Sequence, residues 1–170
     1  MLKPDSLRKF LTDGLVDAQG VKLLERDPDK LAMFIDRGRV AAREAAAIGF
    51  EWRYTLNLVF QDWPHDMQDA VMLGLMIWLR TNQPDLLANA VTGNEAVKFE
   101  ADLLGADLID LSITVELNEA VTAAARPDHG YNLVHVPEPD LDVLFDDVPV
   151  GTLLTRFYMM DSLVLDSSGG

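Results

Sequence analysis

In the stretch "DWPHDMQDAVMLGLMIWLRTNQPD", residues 62–85, His65 and Asp69 stand four apart. On a helix this spacing sets an imidazole and a carboxylate on one face, as a metal pair requires. Two ligands do not close a metal site, and the same residues suit the start of a helix. Pro64 fits a first turn, while Asp62, Asp66 and Asp69 put negative charge where unpaired amides and the macrodipole favour it, with Asp66 placed to cap. Helix initiation is the simpler reading.

Other candidate chemistry resolves the same way. Asp102, Asp107 and Asp110 flank a turn but lack the alternating acidic spacing and terminal glutamate of a calcium loop. No G-x-S-x-G elbow or glycine-rich phosphate loop is present, and His65, His129 and His135 have no readable link to Ser6 or Ser112. With no cysteine, thiolate metal sites, disulfides and cysteine nucleophiles are excluded together. No catalytic residue, metal or cofactor is expected, and the chain reads as something other than an enzyme.

The elements that carry these residues are marked by periodicity. Pro4, then Leu7, Phe10 and Leu11, with Gly14 beyond, predict a first helix. Pro28 with Leu31, Phe34 and Ile35, stopped by Gly38, predicts a second. Phe50, Trp52, Tyr54, Leu56, Leu58 and Phe60 alternate with mostly polar residues, the period of a half-buried strand. Arg39–Ala47 is read as the other arm of a hairpin with it. Val97, Phe99 and Ala101, the turn "DLLGAD", and Ile109, Leu111, Ile113, Val115 and Leu117 make a second hairpin.

Two hairpins with a helix between them in sequence predict an α+β fold: a mainly antiparallel sheet of about four strands with helices packed on it. Residues 1–136 form one domain on this reading. "PEPD" then breaks regular structure, and 137–170 are expected to form a β-hairpin arm ending in a mobile "DSSGG".

The helix after Asp66 carries a sharper message. "AVMLGLMIWL", residues 70–79, is apolar all round, so both of its sides need cover. One source is the subunit itself; the other is a neighbour, in which case Gly74 would permit close backbone approach and Trp78 would join the contact. Ten residues are too few to cross a bilayer, and the charged opening "MLKPDSLRKFLTDGL" is no secretory signal, so a cytoplasmic start is expected.

Charge is segregated along the chain. The net value is −14, but residues 1–60 hold ten Lys/Arg against nine Asp/Glu, and residues 61–170 hold four against nineteen. The two portions are therefore +1 and −15. Tight binding of free DNA needs a basic footprint that only Arg37, Arg39, Arg43 and Arg53 begin to supply, so it is not expected.

Several stretches carry a resemblance: "MLKPDSLRKFLTD", "YTLN" at 54–57, "WLRTNQPDLL" at 78–87, and "FEAD" at 99–102 followed by "DLSITVELNE". In order and spacing, from Met1 to about Glu119, they resemble the tail completion protein R family of Peduovirus-type contractile-tailed phages. The resemblance implies a tail terminator: a structural virion protein at the head-proximal end of the tail, assembled in the host cytoplasm. It would form a ring, six-membered in similar proteins, that stops growth of tube and sheath and meets the neck and head-completion proteins. DNA would pass through without tight binding.

A ring is built by heterologous contacts between two different patches, and opposite charges suit such a pair. Arg37, Arg39, Arg43 and Arg53 are accordingly expected to face acidic residues of an adjacent subunit or of the tail ring. The alternatives are a neck protein of the same joint and, from another class, a small acidic metal-dependent hydrolase. A DNA-mimicking inhibitor is disfavoured because its charge would be spread along a surface.

Overall fold

The computed structural model of the chain describes residues 2–43, 48–88, 93, 95–105 and 107–138, and the backbone of 156–159 and 162–166. Helices α1 (Lys3–Gly14) and α2 (Leu23–Arg26) precede strands β1 (Leu31–Arg43) and β2 (Gly49–Pro64); α3 (Gln68–Asn82) and the short α4 (Pro84–Leu87) follow. Then come β3 (Val97–Leu103), β4 (Leu108–Ala125), β5 (Tyr131–His135) and a separate hairpin, β6 (Arg156–Met159) and β7 (Ser162–Asp166). The fold is α+β, with one antiparallel sheet in the order β1-β2-β4-β3 and β5 added to the far part of β4. Of the expected mobile "DSSGG", residues 166–170, Asp166 ends β7 and 167–170 lie outside the described residues, as do Glu44–Ala47 of the expected hairpin arm.

The core lies between one sheet face and the helices. β2 and β4 turn Tyr54, Leu56, Leu58 and Phe60, and Ile109, Leu111, Ile113, Val115 and Leu117, to that face, where all are buried. Leu7 and Leu11 of α1, one turn apart, meet the stripe of α3 formed by Ala70, Val71, Gly74, Leu75, Trp78 and Leu79. Met72, Met76 and Ile77, beside that stripe, are half-buried against the same core. β7 also runs beside α1 and α3. Much of the cover that an all-round apolar helix demands thus comes from its own chain.

Two bulges reset the alternation. In β1 the register with β2 shifts between Ile35 and Arg37, so Leu31, Met33 and Ile35 share the helix-facing side with Gly38, Val40 and Ala42. In β2 it shifts between Phe60 and Trp63, with Asp62 at φ 47° and its N–H donated to Asp110 Oδ1 at 2.9 Å. The extra residue returns Trp63 to the core, where its ring meets Phe60 edge-on at 5.0 Å. Residues 28–38 are a correction to the sequence reading. Only Pro28–Lys30 is helical, a single 3-10 turn, and the rest is strand, because alignment along β2 sets Leu31 and Ile35 on the core side, with Leu31 buried and Ile35 packed against the core, while Phe34 faces away.

β4 serves β3 and β5 on the same edge, and the corner between α3 and α4 fills the gap between them. Gln83, fully buried, accepts the Asn118 N–H at 3.2 Å and the Lys3 ammonium at 2.6 Å. Next to it Glu119, 4% exposed, accepts the Leu2 N–H at 2.7 Å and the Tyr54 hydroxyl, and lies 3.3 Å from His135 Nδ1. One carboxylate joins the start of α1 to β2, β4 and β5. Burial first, and then the bond to Glu119, raise the Tyr54 phenol far above the usual tyrosine range.

The unfolded tyrosine ionises near pH ~10 while the folded one keeps its proton, so stability present below that pH is lost as pH rises beyond it. Urea midpoints measured from neutral pH to about pH 11 should fall at the alkaline end, and Tyr54→Phe should flatten that fall. At the second bulge, Asp62→Gly should preserve or raise the melting temperature, since the exposed side chain gives up a left-handed conformation that glycine adopts freely. Asp62→Val should lower it by about 1–2 kcal/mol of stability.

Candidate functional site

The register gathers Arg37, Arg39 and Arg53 on the sheet face away from the helices. Arg37 lies opposite Thr55 and Arg39 opposite Arg53, on one side of the β1–β2 pair, and the backbone of Arg43 pairs with Gly49. The side chain of Arg43 is outside the described residues. Arg37, Arg39 and Arg53 line one side of an open groove of about 620 Å³, and Asp85, Glu116 and Asn118 line the other. Positive charge sits toward β1, negative charge toward β4 and α4.

The three guanidiniums are unequally compensated. Arg53 donates to Glu51 Oε2 at 2.8 Å, and that hydrogen bond raises its pKa further. Among the described residues Arg37 reaches only its exposed neighbour Asp36, at 3.7 Å, a pair screened by solvent. Arg39 has no ion-pair partner among the described residues and stands directly across from Arg53. Like charges opposite each other in a ladder cost stability.

Gly74 and Trp78, expected at a subunit contact, are placed differently. Both are buried within the chain; Trp78 is 2% exposed and its indole N–H donates to Ser6 Oγ of α1 at 3.2 Å. Their surface is already covered by α1 and the core, so the described subunit offers neither to a neighbour. His65, Asp66 and Asp69 are exposed at the entrance to α3, which begins at Gln68 without a side-chain cap from Asp66. The His65 N–H donates to Asp107 O, and Asp110 receives Asp62, so these residues secure the turn between β2 and α3 against β4. Among the described residues no three His, Asp or Glu side chains converge as a metal site.

Sequence reasoning did not find the exposed apolar edges. Phe99 and Leu103 on β3 are 64% and 73% exposed, although they share the helix-facing side with buried Ile113 and Ile109. The strand lies beyond the reach of the helical layer. Leu133 and Val134 on β5, a strand the pattern did not predict, are exposed as well.

A charged sheet face and uncovered apolar strand edges are surfaces suited to contact with other protein. The chain belongs to the P2 phage tail completion protein R (GpR) family, whose model matches residues 1–139. It is 37% identical over 139 residues to Tail completion protein R of Escherichia phage P2, covering 82% of this chain and 84% of that protein. No solved structure matches it. The resemblance carried by Met1–Glu119 is thus a family relationship that continues to residue 139, and the chain is a structural phage tail protein, not an enzyme.

Because Arg39 and Arg53 repel within the ladder, Arg39→Thr should raise the melting temperature of the isolated subunit at low salt. The gain should shrink in high salt, where the repulsion is already screened.

Proposed function

We propose that the protein is a tail terminator: copies of the chain close into a ring on the finished tail, end the addition of tube and sheath subunits, and present the surface that meets the neck and head-completion proteins. The observation that carries this reading is the split groove face, where Arg37 has only a screened pair with Asp36 and Arg39 no ion-pair partner among the described residues, on a chain whose net charge is −14. Such a subunit attracts a different patch of its own kind more strongly than the same patch. That is the condition for a heterologous, closing contact.

Six copies, the number the family resemblance implies, would carry 6 × −14, about −84. A lumen sharing in that charge repels DNA phosphates and lets the duplex slide. The acidity of the chain therefore supports passage and opposes retention of DNA.

The native mass of the purified protein, alone and on tails assembled without it, together with negative-stain images, tests the reading. A ring at the tail end is expected, and tails lacking the protein should vary in length. A lone subunit that never joins tails would overturn it, and so would tight, salt-sensitive DNA binding. Tails of normal length left unjoined to heads would instead assign the protein to the neck.

A further inference from the structure

The two ends of the main sheet are open. β1 and β3 are its terminal strands, and among the described residues neither has a further strand on its outer side. β1 runs antiparallel to β2, β2 to β4 and β4 to β3, so β1 and β3 point in opposite directions. Rotating a copy about an axis along the strands therefore brings its β1 beside β3 of the first copy in antiparallel sense, the better-bonded of the two ladder types.

The free backbone on β3 is oriented for this. Leu104 N–H donates to Leu108 O at the hairpin turn, and N–H direction alternates along a strand. Phe99, Ala101 and Leu103 thus send their N–H and C=O groups to the open side, away from β4.

Both faces of the two edges match. On the helix-facing side β3 offers Phe99 and Leu103, and β1 offers half-buried Met33 and Ile35 with exposed Val40. On the other side β3 offers exposed Glu100 and Asp102, with Lys98, and β1 offers Arg37 and Arg39. Pairing β1 with another β1 would oppose arginines, and pairing β3 with another β3 would oppose carboxylates. Only the unlike pair satisfies charge on one face and apolar burial on the other.

We infer that neighbouring copies join by sheet continuation, the β3 edge of one subunit adding to the β1 edge of the next, with Glu100 and Asp102 set against Arg37 and Arg39. The inference rests on the ring reading and names its contact. The occupant of each edge is a second copy of this chain.

Two charge-reversed full-length variants test it: Arg37→Glu/Arg39→Glu, and Glu100→Arg/Asp102→Arg. All four side chains are exposed, and circular dichroism checks that each variant folds. Assembly is read by native mass in solution and on tails made without the protein. Each variant alone should need at least about tenfold higher concentration to assemble than the unaltered chain. An equimolar mixture should assemble again, because each carries on one edge the charge that the other lacks. Ala101→Pro, which removes only an outward N–H, should weaken assembly without unfolding the subunit.

Unaltered assembly of both reversed variants, or a mixture no better than its parts, would overturn the edge contact while leaving the ring intact. An unaltered chain that assembles neither in solution nor on tails would overturn ring and contact together.

Discussion

β2 and β4 pair along nearly their whole lengths, and every other part of the fold is arranged around the apolar side that this pairing creates. Alternate residues of both strands, from Tyr54 to Phe60 and from Ile109 to Leu117, deliver one continuous hydrophobic surface that water cannot be left to cover. α1 and α3 lie on it. β1 and β3 widen it, and the wider it becomes the less of it two helices can reach. The same constraint that makes a stable core in the middle of the sheet leaves uncovered side chains at its margins.

Polar groups at the rim tie this layer down. Glu119 and Gln83 are buried where α1, the α3–α4 corner, β2, β4 and β5 come together, and each is satisfied by several donors. A buried carboxylate is tolerable only with such partners, and having them it fixes geometry that apolar packing would leave adjustable. The start of α1 is thereby locked to the sheet, which keeps the helical layer centred on β2 and β4 and away from β3.

Much of this architecture is legible in the amino-acid sequence. β2, β4 and α1 follow from periods in which hydrophobic position and secondary structure agree, and α3 from the start signals around Pro64–Asp69 and the apolar run behind them. β1 does not, and its bulge is the cause: Met33 and Ile35 fall on odd positions and Val40 on an even one, so the strand's own alternation is broken in the middle while Leu31, Phe34 and Ile35 imitate a helix stripe. β5 is exposed on both sides and has no period to detect. β3 shows a clear period, but alternation reports which side a residue faces and not whether anything lies over that side. The arginines are legible as a cluster only through their charge; that Arg37, Arg39 and Arg53 share one face follows from the register, which depends on where the bulge falls. Gly74 and Trp78 are apolar positions in a helix needing cover, and composition does not say which partner supplies it.

The uncovered row on β3 bears on how the protein survives before it is used. A long-lived pool of free subunits with Phe99 and Leu103 in water would normally drift into irregular clumps, since a bare strand margin accepts almost any other strand. A net charge of −14 sets a general electrostatic barrier against every such encounter, and the edge contact proposed above, in which arginines meet carboxylates, would escape most of it. Excess acidity is thus a storage condition: it keeps free subunits dispersed.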